Sequence, residues 1–329
     1  MKIGIVFAGQ GAQYPGMGKD LYDNFPSAKK IFDDAGKEVQ EWCFNGTKEM
    51  LRQTHITQPC IYTVTMAAYQ AFLEAMEKEG LWDKVEFIGM SGFSLGEYAA
   101  LTAAGTIKKI STGLDIVQKR GNLMQQAGLD EEGNPKGGMV AGFGKRKAIL
   151  AAVEEAAKGR ILEGVNFNSP VQTVVAGEKD ALDDFVAVAK NHRVKAKMLS
   201  VSTAFHCDMM APAAEELRGI LLEAGLKAPN KKVYSNVTAR DMMENAQGKG
   251  DVGTYIADLM AKQTKSPVYW QEVIENMIQD GAEVIIEIGP GKTLSGLTKK
   301  ISHDVLTLHV EDHESLEETI NELKEALDA

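Results

Sequence analysis

Short apolar runs alternate with longer amphipathic stretches through most of the chain. Residues 3–7 (Ile-Gly-Ile-Val-Phe) form the first run and predict a buried strand. A glycine-rich turn over 8–13 follows it. Residues 19–35 carry a helical period, with a break at Pro26. A long helix is predicted from Thr57-Gln-Pro-Cys60 to about residue 79, with Pro59 in its first turn and Gly80 ending it. Its apolar positions Ile61, Val64, Tyr69, Phe72, Leu73 and Met76 read as core. Residues 85–90 predict a second buried strand. Residues 95–104, rich in Ala and Leu, predict a helix stopped by Gly105. Ser111 is placed to cap a further helix over 112–127. The charged, glycine-rich stretch 130–138 marks a boundary.

The pattern changes character after that boundary. Strand 139–143, helix 145–158, strands 161–167 and 172–176 about an Asn168-Ser-Pro turn, helix 179–190 and strand 195–201 give the order β-α-β-β-α-β. That order is the ferredoxin-like split unit. Residues 131–201 therefore read as a small inserted subdomain, and 1–130 with 202–329 as the main α/β domain. The main domain resumes with a helix over 211–224, a strand over 232–236, a helix over 254–261 and a strand over 284–288. A terminal amphipathic helix over 316–327 closes the chain. No internal repeat or low-complexity tract interrupts it.

Composition narrows the function classes. The 329 residues suit one large α/β domain carrying an insertion, with 44% hydrophobic and 25% charged residues. A formal net charge of −10 argues against bulk nucleic-acid binding. No apolar run approaches the ~18 residues that a membrane span needs, and the apolar start is too short for a signal peptide. The three cysteines, Cys43, Cys60 and Cys207, lack C-x-x-C spacing and read as reduced thiols of a cytoplasmic protein.

The chemistry concentrates at Gly92-Phe-Ser-Leu-Gly96, a G-x-S-x-G match between a predicted strand and a predicted helix. A sharp strand-to-helix turn brings backbone close to backbone, so small residues flank the serine. The turn lifts the Ser94 hydroxyl clear of the sheet, and the Leu95 amide at the helix start is free to donate to an oxyanion. Other glycine-rich segments do not hold nucleotides. The turn after the first strand fails the dinucleotide fingerprint, because Tyr14 stands at the third glycine position. Gly289-Pro-Gly-Lys-Thr293 fails as a phosphate loop, because Ile286 stands at its opening glycine. His206 lies in a loop just past a strand end, where a lone histidine is more often structural. Arg120, inside the helix over 112–127, reads from pattern alone as solvated.

Taken in order, these segments resemble the malonyl-CoA:acyl carrier protein transacylases, the acyltransferases of fatty acid and polyketide synthesis. The resemblance is carried by Gly9-Gln-Gly-Ala-Gln13, Gly92-Phe-Ser-Leu-Gly-Glu97, Arg120-Gly, Asn166-Phe-Asn-Ser-Pro170, Ala204-Phe-His206, Gln263 before Ser-Pro-Val268, and Glu287-Ile-Gly-Pro-Gly-Lys292. It implies an α/β-hydrolase-like large domain with a ferredoxin-like insertion. It implies Ser94 as nucleophile, His206 as general base and acid, and the backbone amides of Gln10 and Leu95 as the oxyanion hole. It implies that the Gln263 carbonyl, rather than an aspartate, orients the histidine. Arg120 then takes the free carboxylate of malonyl, since a planar guanidinium can grip it through two parallel hydrogen bonds. The implied partners are malonyl-CoA and acyl carrier protein, with no metal or redox cofactor, no nucleic acid and no membrane. Lys262, Lys265, Lys299 and Lys300 flank segments expected near the site and are the expected basic surface for the carrier. Phe93 departs from the histidine usual before the nucleophile, a residue that is not the catalytic base. Leu95 and Ala204-Phe-His206 favour malonyl over methylmalonyl. The alternatives are a serine esterase or thioesterase on the same turn, an acyltransferase for another carboxylated thioester such as methylmalonyl-CoA, and a non-catalytic protein retaining the fold.

Overall fold

The computed structural model describes residues 1–201 and 203–328. Within them the strands are β1 (Lys2–Phe7), β2 (Glu86–Gly92), β3 (Gly137–Phe143), β4 (Leu162–Ser169), β5 (Gln172–Glu178), β6 (Lys195–Met198), β7 (Val284–Ile288) and β8 (Leu306–Val310). One sheet is parallel throughout, in the order β2-β1-β7-β8. Parallel strands covered on both faces need apolar residues at nearly every position, and Val284–Ile288 is buried along its whole length. A period of two sorts the side chains between the faces. Ile3, Ile5, Phe7, Ile286 and Ile288 join the core that contains the helix Thr54–Lys78. Val6 and Ile285 point the other way, into a core with Trp270, Val273 and Ile274 of the helix Trp270–Gln279.

The second sheet is antiparallel, in the order β4-β5-β3-β6. With the helices Arg146–Ala157 and Lys179–Ala189 between its strands, it has the ferredoxin-like arrangement. One face buries Val140 and Val175 against Ile149, Leu182 and Phe185 of those two helices. The other face buries Met139, Val174 and Ala176 against Met124, Ala204, Phe205 and Met210 of the main domain. The inserted unit is thus packed on the segment that carries His206. A backbone bridge joins the units on the far side: Phe167 N donates to Val268 O at 2.9 Å, and Val268 N to Val165 O at 2.8 Å.

The structure adjusts several sequence expectations. The long helix begins at Thr54, a turn before Thr57. Pro59 therefore lies inside it and leaves the His55 carbonyl without its helical donor. Pro26 does not merely break the helix over 19–35; it occupies the first position of a new helix, Pro26–Ala35, where its missing N–H is harmless. The helix expected from Ser111 starts at Ile110, after Lys109, with no side-chain cap. The strand expected over 232–236 shortens to a parallel bridge between Val233 and Met90, because the chain turns back at Ser235, whose carbonyl accepts from Ala239 N at 2.8 Å. Helices Lys37–Asn45, Trp270–Gln279 and Thr293–Ile301 and strand β8 were not anticipated. These are short, and runs of such length do not separate the helical period from the strand period. The expected resumption of the main domain at Ser202 and the last residue, Ala329, lie outside the described residues. Among the described residues no helix is long and apolar enough to cross a membrane.

Candidate active site

Ser94 stands in the turn between β2 and the helix Gly96–Ala103. Its φ is +52°, the left-handed region that non-glycine residues seldom occupy. The glycines are forced by crowding. A Cβ on Gly92 would overlap the backbone of Gly96 and Glu97, and a Cβ on Gly96 would overlap the carbonyl of Phe7. The strained turn is held from outside by Asn236. Its side-chain oxygen accepts from Ser94 N–H at 2.7 Å, and its amide nitrogen donates to Gly92 O at 2.8 Å.

His206 also has a left-handed backbone, with φ +63°. Its Nε2 lies 2.7 Å from Ser94 Oγ, and its Nδ1 lies 3.0 Å from the Gln263 backbone carbonyl. A carbonyl can only accept, so Nδ1 carries the proton and Nε2 of the neutral ring is free to accept from the serine hydroxyl. Burial, and then the positive charge of Arg120, lower the histidine pKa to about 4. The ring is therefore neutral at physiological pH, the form a base requires. The backbone amides of Gln10 and Leu95 have no acceptor among the described residues, and Gln10 lines the same cavity as Ser94.

Arg120 departs most from the reading of its pattern. It is not solvated; only 1% of it is exposed. Its guanidinium donates to Gln58 Oε1 at 2.9 Å, to Ser94 Oγ at 3.1 Å and to Gln263 Oε1 at 3.2 Å, and it lies over the Tyr98 ring at 5.2 Å. Among the described residues it has no carboxylate within ion-pair distance, and its Nε has no partner. The buried Glu97 carboxyl acts on it only from beyond the Gln263 side chain, and a buried cation without a direct ion pair is costly, so the arrangement favours a ligand that brings an anion. The helix Ile110–Ala127 delivers Arg120 because Gly113 and Gly121 let it lie close against the helix Thr54–Lys78: a Cβ on Gly113 would overlap the Tyr62 hydroxyl.

Gln263 links these parts. Its backbone oxygen holds His206, its side-chain oxygen holds Arg120, and its amide nitrogen donates to Ser94 O at 2.7 Å and to Glu97 Oε2 at 3.1 Å. Glu97 is fully buried and its pKa rises to about 7, chiefly through burial, opposed by the hydrogen bond from Gln263. Glu97, Gln58, Tyr98 and Asn236 are site residues that sequence reasoning did not assign. Only Glu97 left a local signal, as the residue that follows the second glycine of the serine turn.

The cavity over these groups has a volume of about 440 Å³ and is lined by Gln10, Ser94, Arg120, Asn166, Phe205 and His206. Phe93 lines it too, and its ring packs on Trp270 at 5.3 Å between centroids, which gives this wall an apolar face where an imidazole is usual. Lys262, Lys265, Lys299 and Lys300 are exposed but do not line the cavity, whereas Lys48 and Arg52 do. Asp208, two residues from His206, is exposed and takes no part. Cys207 is buried, and burial pushes its thiol up to about 12, which keeps it from acting as a thiolate. No cluster of three or more metal-ligating side chains occurs among the described residues.

The acyl transferase domain model matches residues 5–324. The chain belongs to the acyltransferase family. Its relatives within that family include the malonyl CoA-acyl carrier protein transacylase of Bacillus subtilis, 35% identical over 99% of both chains. The Escherichia coli K12 transacylase is 36% identical over 93% of this chain and 94% of its own. Among solved structures, the transacylase of Clostridium perfringens superposes with a TM-score of 0.87 at 39% identity, covering 99% of this chain and 98% of that one. A malonyl-transacylase solved with its type II polyketide acyl-carrier protein gives a TM-score of 0.87 at 32% identity, covering 98% of this chain and 100% of that one.

Proposed function

We propose that the protein transfers malonyl from malonyl-CoA to the phosphopantetheine thiol of an acyl carrier protein, in fatty acid or polyketide synthesis. Full-length similarity to named malonyl transacylases supports this activity. The observation that carries the substrate choice is Arg120, a buried guanidinium 3.1 Å from the Ser94 hydroxyl with no carboxylate within ion-pair distance among the described residues. A malonyl carboxylate would supply the missing charge while its thioester carbonyl reaches Ser94. Acetyl would leave the cation unpaired.

Ser94 Oγ attacks the thioester carbonyl as His206 Nε2 takes its proton. The oxyanion is received by the Gln10 and Leu95 amides. Collapse expels the coenzyme A thiolate, which takes the proton from His206, and leaves a malonyl ester on Ser94. The carrier thiol then gives its proton to His206 and attacks that ester, and Ser94 regains the proton. These steps use protein groups alone. An esterase reading is less well supported: the partner of His206 Nδ1 is the Gln263 carbonyl, not a carboxylate. The residues fall into a catalytic domain of 1–130 and 202–329 and an insertion of 131–201, and the site of action is the cytoplasm.

Brief incubation with malonyl-CoA should add one malonyl group to the intact mass. Peptide mapping should place it on Ser94, and Ser94→Ala should show none. A label on Cys207 would overturn the serine mechanism. Charge reversal at both Lys48 and Arg52 is expected to raise KM for malonyl-CoA by about tenfold, with little change for a malonyl thioester lacking the nucleotide, because exposed cations at the cleft act on distant phosphates. Equal effects on the two thioesters would remove these residues from nucleotide binding.

A further inference from the structure

We propose that Asn236 is a positioning residue for acyl transfer: its side-chain amide spans the nucleophile turn and holds Ser94 in the left-handed conformation that aims Oγ at His206. The inference rests on Ser94 being the nucleophile. Asn236 reaches the turn from the short segment paired to Met90 of β2, and it is fully buried. Its two polar atoms take different partners on either side of Phe93. The oxygen accepts from Ser94 N–H at 2.7 Å, and the nitrogen donates to Gly92 O at 2.8 Å. One rigid carboxamide plane therefore supplies both the acceptor and the donor.

Two consequences follow. The Ser94 N–H is already taken by Asn236, so the unpaired Leu95 N–H is left as the donor for an oxyanion. The left-handed Ser94 backbone, at φ +52°, is an unfavourable conformation that persists only where its surroundings over-determine it. The backbone of Asn236 is fixed in turn. Its N–H donates to Glu97 Oε2 at 3.3 Å, and its carbonyl accepts from Tyr269 N at 3.0 Å. Glu97 Oε2 also receives the Gln263 amide at 3.1 Å. One carboxylate oxygen therefore joins the clamp on the serine to the residue that holds His206 and Arg120. The clamp supports the reacting atoms without contacting the acyl group.

This placement predicts a loss in turnover that is blind to the substrate. In Asn236→Ala, kcat per folded molecule should fall at least tenfold, with KM within threefold and the malonyl-to-acetyl ratio of kcat/KM within threefold. The same variant should react at least tenfold more slowly with a fluorophosphonate, in which Ser94 Oγ bonds to phosphorus, fluoride leaves and His206 takes the hydroxyl proton. Folded fraction is read by circular dichroism and the thermal midpoint. Should Asn236→Ala not fold, Asn236→Leu keeps about the same volume but loses both the acceptor and the donor, and the same tenfold losses are expected of it. A merely structural asparagine would lower the midpoint and leave rates per folded molecule unchanged. Losses under tenfold, or losses carried by KM, overturn the proposal. A wild-type protein that the fluorophosphonate does not label at Ser94 would instead overturn the underlying assignment of the nucleophile.

Discussion

Replacing His206 with alanine is expected to lower the rate of Ser94 acylation by about 10⁴-fold, the upper range for a positioned general base. Binding of malonyl-CoA should change little, because Arg120 does not depend on the histidine for its position. Its hydrogen bonds run to Gln58, Gln263 and Ser94. The pH dependence carries a sign. The base is active only when neutral, and burial together with the Arg120 charge lowers the His206 pKa to about 4. The acid limb of kcat/KM should therefore lie near pH 4, not near the ordinary value of about 6.5. Substrate moves it upward. A malonyl carboxylate at Arg120 offsets the charge that helps depress the histidine, so the acid limb of kcat should lie at higher pH than that of kcat/KM. Arg120→Gln should raise the free-enzyme value only partly, because burial is the larger cause and remains. Pre-steady-state acylation from about pH 3 to about pH 8 measures both limbs. A wild-type kcat/KM limb at or above the ordinary histidine value would show that the ring is not held neutral as described.

Arg120→Ala should separate malonyl from acetyl transfer. A buried, charge-assisted contact through two parallel hydrogen bonds is worth roughly 2–4 kcal/mol, so malonyl kcat/KM should fall by about 30- to 1,000-fold. Acetyl transfer should stay level or rise, because no cation is then left unpaired in the acetyl complex. Arg120 also donates to Ser94 Oγ at 3.1 Å. Losing that bond affects both substrates alike, so the ratio of the two kcat/KM values isolates the carboxylate contact. Arg120→Lys should rescue only partly, since a point charge cannot reproduce the fork and reaches fewer of the three partners. Phe93→His serves as the control. Phe93 neighbours the serine and packs on Trp270, yet carries no charge, so the malonyl-to-acetyl ratio should remain within about tenfold, roughly 1.4 kcal/mol. Equal losses for the two thioesters in Arg120→Ala would make the arginine structural and remove the main support for malonyl as substrate.

The Asn236 and Arg120 variants form a pair of opposites. The first should lower turnover for both thioesters and leave selectivity intact; the second should change selectivity above all. Both residues touch the serine through hydrogen bonds, at 2.7 and 3.1 Å. What separates them is which atoms they hold. Asn236 fixes the backbone of the turn, common to every substrate. Arg120 presents charge to the acyl group, which only a carboxylated substrate can use.

The amino-acid sequence by itself determined the strand-to-helix turn at Ser94, the inserted ferredoxin-like unit and the strand Val284–Ile288, because each is governed by neighbours in the chain. Backbone crowding at Gly92 and Gly96 acts over a few residues, and the alternation of strands and helices is written in local periodicity. Only the tertiary structure decided that Arg120 is buried. Its helix gives no sign of that, since Gln58 and Gln263 lie 62 and 143 residues away in sequence. Asn236 reaches Ser94 across 142 residues and sits in a segment too short to read as more than a strand end. His206 follows the same division. Sequence placed it in a loop, and the fold set its Nδ1 against a carbonyl across 57 residues. The physical reason is that desolvation and hydrogen-bond pairing depend on what surrounds a group in space, whereas propensity and backbone sterics depend on what adjoins it in the chain.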